Sequence, residues 1–295
     1  MPVRMRLPDG PAAANGTVES SDGTSIGYLR IGSGPPLVVC HGSFACAQDW
    51  MKFASETARV RTVYLYDRRG RGSSPCVSPA FAVDAEVDDL AAVLRTAGPG
   101  AAILGHSFGG GCALSCAARE RFDGPVIVYE PRHSIDGPVS AGHIPEIRRL
   151  LAGGDKEIAV RAVLEKVIGL PPSAITAFAH SPLWERMQQT VDAFPDELKL
   201  LDELTWRPGD LDGITGPTWL LVGTESPVLP ADREGALRSV LPGIRRVSLP
   251  GQGHFAYQSA PAVLARAVRE CLAAPGTLTS MTGDAFETEE DKRGR

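Results

Sequence analysis

The stretch that constrains this chain most is Ile103-Leu104-Gly105-His106-Ser107-Phe108-Gly109-Gly110-Gly111. Its Gly105-x-Ser107-x-Gly109 spacing matches a nucleophile elbow, a sharp strand-to-helix turn. An apolar run, Ala101 to Leu104, leads into it, and a helix-like run, Gly111 to Glu120, leads out. Such a turn holds its central residue at strained dihedrals, so the residues two before and two after must be small. Ser107 then lifts its hydroxyl above the sheet, at a helix N-terminus whose free N–H groups favour developing negative charge. The same letters occur in ordinary glycine-rich turns. Here the strand before, the helix after and the Gly-Gly-Gly tail favour the elbow.

The rest of the chain supplies the context that such a turn needs. Residues 1–16 read as a loose arm rich in Pro, Ala and Gly. Thr17 to Ser20 and Ser25 to Ile31 read as two strands joined by a hairpin signal at Ser21-Asp22-Gly23-Thr24. Leu37 to Cys40 and Val60 to Tyr66 are further strands, the first apolar throughout, with a helix over Asp49 to Thr57 between them. Phe81 to Ala97 carries Val83, Val87, Leu90 and Leu94 at helical spacing. The elbow strand follows, then Val126 to Glu130. After Arg132 the strand pattern stops. Helix-like runs cover Ile144 to Leu151, Lys156 to Ile168, Ser173 to Ala179, Pro182 to Val191 and Pro195 to Leu204. Alternation resumes with strands at Thr218 to Gly223 and Arg245 to Leu249 and helices at Ala231 to Leu241 and Pro261 to Ala273.

Strand and helix alternating in this way predict an α/β fold built on a mostly parallel, doubly wound, eight-stranded sheet. Right-handed crossovers bring the loops after the strands to one edge, where such sheets bind their ligands. His41-Gly42-Ser43, Ser107 and Glu130 all follow strands and are expected to converge there. Residues 17–131 and 207–274 read as the two parts of the core. Residues 132–206 read as a helical cap over that edge, and 1–16 and 275–295 as flexible termini.

Several function classes find no support. The net charge of -5 argues against nucleic-acid binding. Apolar runs long enough to span a membrane are absent, and Met1 to Gly16 has no apolar signal-peptide core. The compartment expected is the cytoplasm. Cys112 and Cys116 sit four apart on one predicted helix without a matching pair of ligands. All six cysteines, Cys40, Cys46, Cys76 and Cys271 among them, therefore read as small apolar residues rather than metal ligands or disulfides. Neither a phosphate-binding loop nor a dinucleotide fingerprint is convincing, so no cofactor and no metal are expected. Homo-oligomerisation is left open.

From about Ser25 to Leu272 the chain resembles an α/β-hydrolase. Four motifs carry the resemblance: His41-Gly42-Ser43 after the third strand, Asp67-Arg68-Arg69-Gly70-Arg71-Gly72-Ser73 after the fourth, the elbow, and Gly251-Gln252-Gly253-His254-Phe255 after the last. The resemblance implies a serine nucleophile, an acid and a histidine in that chain order. Ser107 would attack a carbonyl, and His254 would take its proton. The backbone N–H groups of Ser43 and Phe108 would form the oxyanion hole. His41 and His106 resemble structural positions, while His133, His143 and His180 lie in or near the cap. The arginines of the Asp67–Ser73 loop could suggest phosphate binding, but the family uses this loop structurally.

The acid departs from the family pattern. After the strand Thr218 to Gly223 the usual aspartate position is occupied by Ser226, which cannot stabilise an imidazolium as a carboxylate does. Glu225, at the neighbouring position, is one candidate to replace it. Alternatively Glu130 serves from the end of the preceding strand, as in some haloalkane dehalogenases. Isolated buried charge is costly, so a glutamate there needs a role, either as the acid or as a partner for Arg132. The reading preferred is Ser107, His254 and Glu130 in a cofactor-independent serine hydrolase acting on a small-molecule ester, lactone or thioester. Acyl transfer, cyclisation or C–C cleavage at the same site is the alternative. A slow-turnover receptor, favoured only by Ser226, is another.

Overall fold

The computed structural model describes residues 4–5, 13–75 and 82–273. Nine strands form one sheet: β1 (Arg4–Met5), β2 (Ala13–Glu19), β3 (Ser25–Gly32), β4 (Pro36–Cys40), β5 (Thr62–Tyr66), β6 (Ala102–His106), β7 (Val126–Tyr129), β8 (Thr218–Gly223) and β9 (Arg245–Leu249). Their order is β1-β2-β3-β5-β4-β6-β7-β8-β9. The β1, β2, β3 and β5 pairings are antiparallel, and every pairing from β5 to β9 is parallel. The eight strands expected are all present, with the two-residue β1 added at the edge. The expected loose arm needs correction: β2 begins at Ala13, because Ala13 to Gly16 continue the hairpin ladder opposite Ile31 to Tyr28. Arg4–Met5 of the expected arm form β1, and its remaining residues 1–3 and 6–12, together with all of the expected tail 275–295 and Cys76, lie outside the described residues.

The helices are α1 (Met51–Thr57), α2 (Val83–Ala97) and α3 (Phe108–Arg119) in the first half. Then come α4 (Ile144–Ala152), α5 (Lys156–Val163), α6 (Pro172–Phe178), α7 (Pro182–Thr190) and α8 (Phe194–Glu203) between β7 and β8. The last are α9 (Ala231–Val240), α10 (Ala256–Ser259) and α11 (Pro261–Ala273). The predicted helix over Lys156 to Ile168 ends early as an α-helix and widens into a π-helical turn over Leu164–Ile168. Four of the five helices between β7 and β8 carry proline at their first or second position, where the missing N–H costs no hydrogen bond. Among the described residues no helix is long and apolar enough to cross a membrane.

Strand order decides where a site can form. The crossover from β4 through α1 moves toward the β3 edge, whereas those through α2 and α3 move the other way. With right-handed crossovers, α1 therefore lies on one face and α2 and α3 on the other. The packing agrees: α1 meets α11, and α2 meets α3. The reversal falls between β4 and β6, so the crevice opens beyond their carboxyl ends, where Gly42-Ser43 and Ser107 emerge.

Beneath that crevice lies a buried ionic cluster from the Asp67–Ser73 loop. Arg68 is fully buried, pairs with Glu86 of α2 at 2.7 Å and Glu197 of α8 at 2.9 Å, and its guanidinium sits 4.2 Å over the Phe108 ring. Arg71 pairs with Glu197 at 3.0 Å, and Arg69 with Asp89 at 2.8 Å. Burial would raise the Glu197 carboxyl, but Arg71 and Arg68 outweigh it and hold it below its ordinary value. All three arginines are thus matched internally, in keeping with a structural loop. Removing one member leaves an uncompensated buried charge. Arg68→Met is expected to destabilise the fold by about 3–5 kcal/mol. A melting temperature within a degree or two of wild type, followed by circular dichroism, would show that the cluster does not support the fold.

Candidate active site

The elbow forms as the glycine spacing requires. Ser107 lies between β6 and α3 at φ 53°, ψ -120°, outside ordinary strand or helix. A side chain on Gly109 would come within 2.3 Å of the Cys40 carbonyl, and one on Gly105 within 2.6 Å of Gly109 O. Only at glycine can β4, β6 and α3 approach this closely. The helix starts at Phe108, three residues earlier than the sequence suggests, so the N–H of Phe108 belongs to the first turn and has no carbonyl one turn back.

Four other strands deliver the remaining groups. Glu130 directly follows β7 and, at φ 44°, turns its carboxylate toward β8 and β9. It is fully buried. His254 Nδ1 donates to its Oε2 at 2.6 Å, Ser226 Oγ donates to the same oxygen at 2.7 Å, and the Gly223 N–H donates to Oε1 at 2.8 Å. With Nδ1 carrying the proton, a neutral His254 presents Nε2 as an acceptor. Glu225, the other carboxylate weighed from the sequence, has an exposed side chain. Arg132 does not pair with Glu130: its Nη1 and Nη2 donate to the carbonyls of Val228 and Val167 at 3.1 and 2.9 Å.

Ser107, His254, Ser43 and Arg132 line one cavity together with Phe44, Phe194, Leu201, Phe255 and the π-turn residues Val167 and Ile168. It holds about 440 Å³ of space free of atoms, its open mouth included. Both Ser43 and Ser107 are largely buried. The helices between β7 and β8 thus supply much of its apolar wall, while the strand ends supply its polar groups. Among the described residues, no group of three or more His, Cys, Asp or Glu side chains gathers as metal ligands would. Cys40, Cys46, Cys112, Cys116 and Cys271 are buried free thiols.

Two further histidines frame the site without facing the same chemistry. His41 Nδ1 donates to Gly42 O at 2.8 Å, and Nε2 accepts the Arg68 N–H at 3.1 Å. His106 Nε2 donates to His254 O at 3.0 Å, and its ring centroid lies 4.5 Å from that of His254. Burial, reinforced by Arg68 at His41 and by His254 at His106, holds both pKa values well below the ordinary imidazole value.

The sequence of the alpha/beta hydrolase family matches residues 37–267, most of the chain. The chain belongs to the alpha/beta hydrolase family. An alpha/beta hydrolase of known structure from Sphaerobacter thermophilus DSM 20745 superposes with a TM-score of 0.76 at 31% identity, covering 87% of this chain and 100% of that one. A non-heme haloperoxidase of Rhodococcus erythropolis is 36% identical over 104 residues, 35% of this chain and 38% of its own length. A bifunctional esterase/perhydrolase of Acinetobacter calcoaceticus is 37% identical over 111 residues, 35% of this chain and 39% of its own. These two matches span about two fifths of each relative.

Within this alpha/beta hydrolase frame, two residues take places that the sequence does not indicate. Ser226, at the position where the family usually has an aspartate, donates to the Glu130 carboxylate. Arg132, expected from the sequence as a possible partner of Glu130, lines the cavity and meets two carbonyls instead. Nothing local in the sequence signals either role, since both depend on which strand lies beside β7.

His133 generates a pH prediction. It is fully buried, and neither ring nitrogen has a hydrogen-bond partner. Burial, with Arg233 adding to it, pushes its pKa down to about 4. Between pH 6.5 and 4 the unfolded chain binds a proton that the folded ring refuses, so stability is lost as pH falls through this window. The loss from this group is on the order of 3 kcal/mol. Urea titrations at pH 7 and pH 4.5 are expected to show a smaller drop for His133→Gln than for wild type. Equal drops would assign the acid sensitivity elsewhere.

Proposed function

We propose that this chain is a cofactor-independent serine hydrolase that cleaves a small-molecule ester, lactone or thioester through an acyl-enzyme. The observation that carries the reading is the 2.6 Å bond from His254 Nδ1 to the buried Glu130 carboxylate, at the wall of a cavity that Ser107 also lines. Family membership and an esterase relative support the same reaction class.

In this reading Ser107 Oγ attacks the substrate carbonyl while His254 Nε2 takes its proton. The charge that develops on the carbonyl oxygen meets the N–H groups of Ser43 and Phe108. The imidazolium formed is stabilised by Glu130 and returns its proton to the leaving oxygen or sulfur as the bond to carbon breaks. Water, deprotonated by the same imidazole, then opens the acyl-enzyme and restores Ser107. Ser226, in place of the usual aspartate, is the sequence feature that favours a slow-turnover receptor. Its hydroxyl donates to Glu130, which supports the enzymatic reading, because the carboxylate that moved to β7 is still fixed from β8. Residues 132–206 act here as a cap that shapes the acyl pocket through Val167, Ile168, Phe194 and Leu201.

Ser107→Ala is expected to lose kcat by on the order of 10⁶-fold and to lose labelling by a fluorophosphonate probe, with His254→Ala non-additive. Near-wild-type turnover by purified, folded Ser107→Ala would end the serine-hydrolase reading. For the acid, Glu130→Gln is expected to lower kcat by on the order of 10⁴-fold, because the charge facing the imidazolium is gone and the amide permits the wrong tautomer. Glu225→Gln should change it little. The comparison is made on one ester at a pH where His254 is neutral, and collapse of the Glu225 variant alone would reverse the assignment.

A further inference from the structure

The cavity holds a positive charge that the reaction above does not use. Arg132 is 6% exposed and lines the cavity wall, and its backbone N–H donates to Ser107 O at 3.0 Å, which ties it to the nucleophile's own peptide. The other buried arginines all have carboxylate partners: Arg68 has Glu86 and Glu197, Arg69 has Asp89, and Arg71 has Glu197. Among the described residues no carboxylate lies within ion-pair distance of Arg132. The acids nearest to it are committed elsewhere. Glu130 holds His254, Ser226 and Gly223, and Asp136 stands within ion-pair range of Arg233 and His133.

A buried guanidinium without a counter-charge is costly, and two neutral carbonyls do not neutralise it. They orient it instead. Val228 follows β8, and Val167 lies in the π-helical turn, a backbone form that recurs at functional sites. Two of the five guanidinium N–H groups are spent on these carbonyls, so three are left for an acceptor, in a planar fork suited to a carboxylate. Burial, with Arg233 adding to it, pushes the pKa of Arg132 down to about 10, so it is still charged at neutral pH.

The geometry points to Arg132 as a specificity residue that binds a carboxylate on the substrate, a few bonds from the scissile carbonyl. The substrate class is then an ester, thioester or lactone that itself carries a carboxylate, rather than a fully apolar ester. The inference rests on the hydrolase reading for the position of that carbonyl. The apolar walls would pack the linking chain, and the substrate's own carboxylate would complete the ion pair that the protein leaves open. Binding would exclude water from the pair and strengthen it.

The test compares substrates that differ only in the charged group. Monoethyl succinate, glutarate and adipate are set against ethyl butanoate, pentanoate and hexanoate, and 3-acetoxypropanoate against propyl acetate, with acid release followed by a pH indicator. Wild type is expected to favour the best carboxylate-bearing ester by about 10- to 100-fold in kcat/KM, the range of a hydrogen bond to a charged group. Arg132→Gln is expected to erase that ratio, and Arg132→Lys, which keeps charge without the fork, to keep part of it. No wild-type preference for any charged ester overturns the inference without any variant having to fold. So does an equal loss on charged and neutral esters in Arg132→Gln, which is the mark of a merely structural clamp. If wild type hydrolyses none of the esters, the hydrolase reading fails separately. Calorimetric titration with succinate, glutarate and adipate then decides the subsite: binding lost in Arg132→Gln supports it, and no binding by wild type overturns it.

Discussion

The constraint on which the site depends is the compensation of Arg68. A guanidinium with no exposed surface must be matched on every side, and its partners come from parts of the chain far apart in sequence. Glu86 lies on α2, Glu197 on α8, and the Phe108 ring opens the elbow helix. The Arg68 backbone N–H fixes His41, and its Nη1 reaches the Gly42 carbonyl at 3.4 Å. One residue thus ties the loop before Ser43, the helix after Ser107 and a helix of the segment between β7 and β8 into a single arrangement. With Arg71, Glu86 and Glu197, the cluster is neutral as a whole, which is what permits its burial.

The Glu130–His254 pair shows how a carboxylate can reach His254 from the end of β7 rather than from β8. β7 and β8 are parallel neighbours, with Tyr129 opposite Leu221, so their carboxyl ends open onto the same space. A carboxylate from either end can meet a histidine that follows β9. From β7 the turn needs a backbone conformation that non-glycine residues seldom take, and Glu130 adopts it at φ 44°. Three donors fix the carboxylate once it arrives. One of them is the hydroxyl at position 226, where a second carboxylate would have repelled Glu130.

This geometry also explains which features were legible in the sequence. Backbone shape written in local residues could be read directly. Glycines at 105 and 109 announced the turn, proline and glycine punctuated the helices between β7 and β8, and continuous apolar runs marked the buried strands. Features set by long-range neighbours could not be read. The sequence favours Glu130 over Glu225 because it ends a buried strand, and the structure pairs it with His254, but the positive φ that turns its carboxylate there is not encoded in the pattern of residues. Arg132 sits two residues from Glu130, and proximity in sequence suggested a pair. Their side chains diverge in space, and the carbonyls that Arg132 meets lie 35 and 96 residues away. The early start of β2 escaped because Ala, Asn and Gly are poor strand formers, and only the ladder with β3 holds them extended.

The imidazoles around the cavity show why one of them is suited to move a proton. His41 and His106 are each locked into one neutral tautomer by a carbonyl acceptor, and burial disfavours a charge on either. His254 alone among the three has a carboxylate on Nδ1. A proton arriving at His254 Nε2 therefore creates an ion pair with Glu130, whereas a proton arriving at His106, 4.5 Å away between ring centroids, would create an uncompensated charge. The same contrast applies to Arg132. Its guanidinium has no carboxylate within ion-pair distance among the described residues, while His254 meets one at Nδ1. The cavity thus brings together two groups of different electrostatics, an arginine held by neutral carbonyls and a histidine held by a carboxylate.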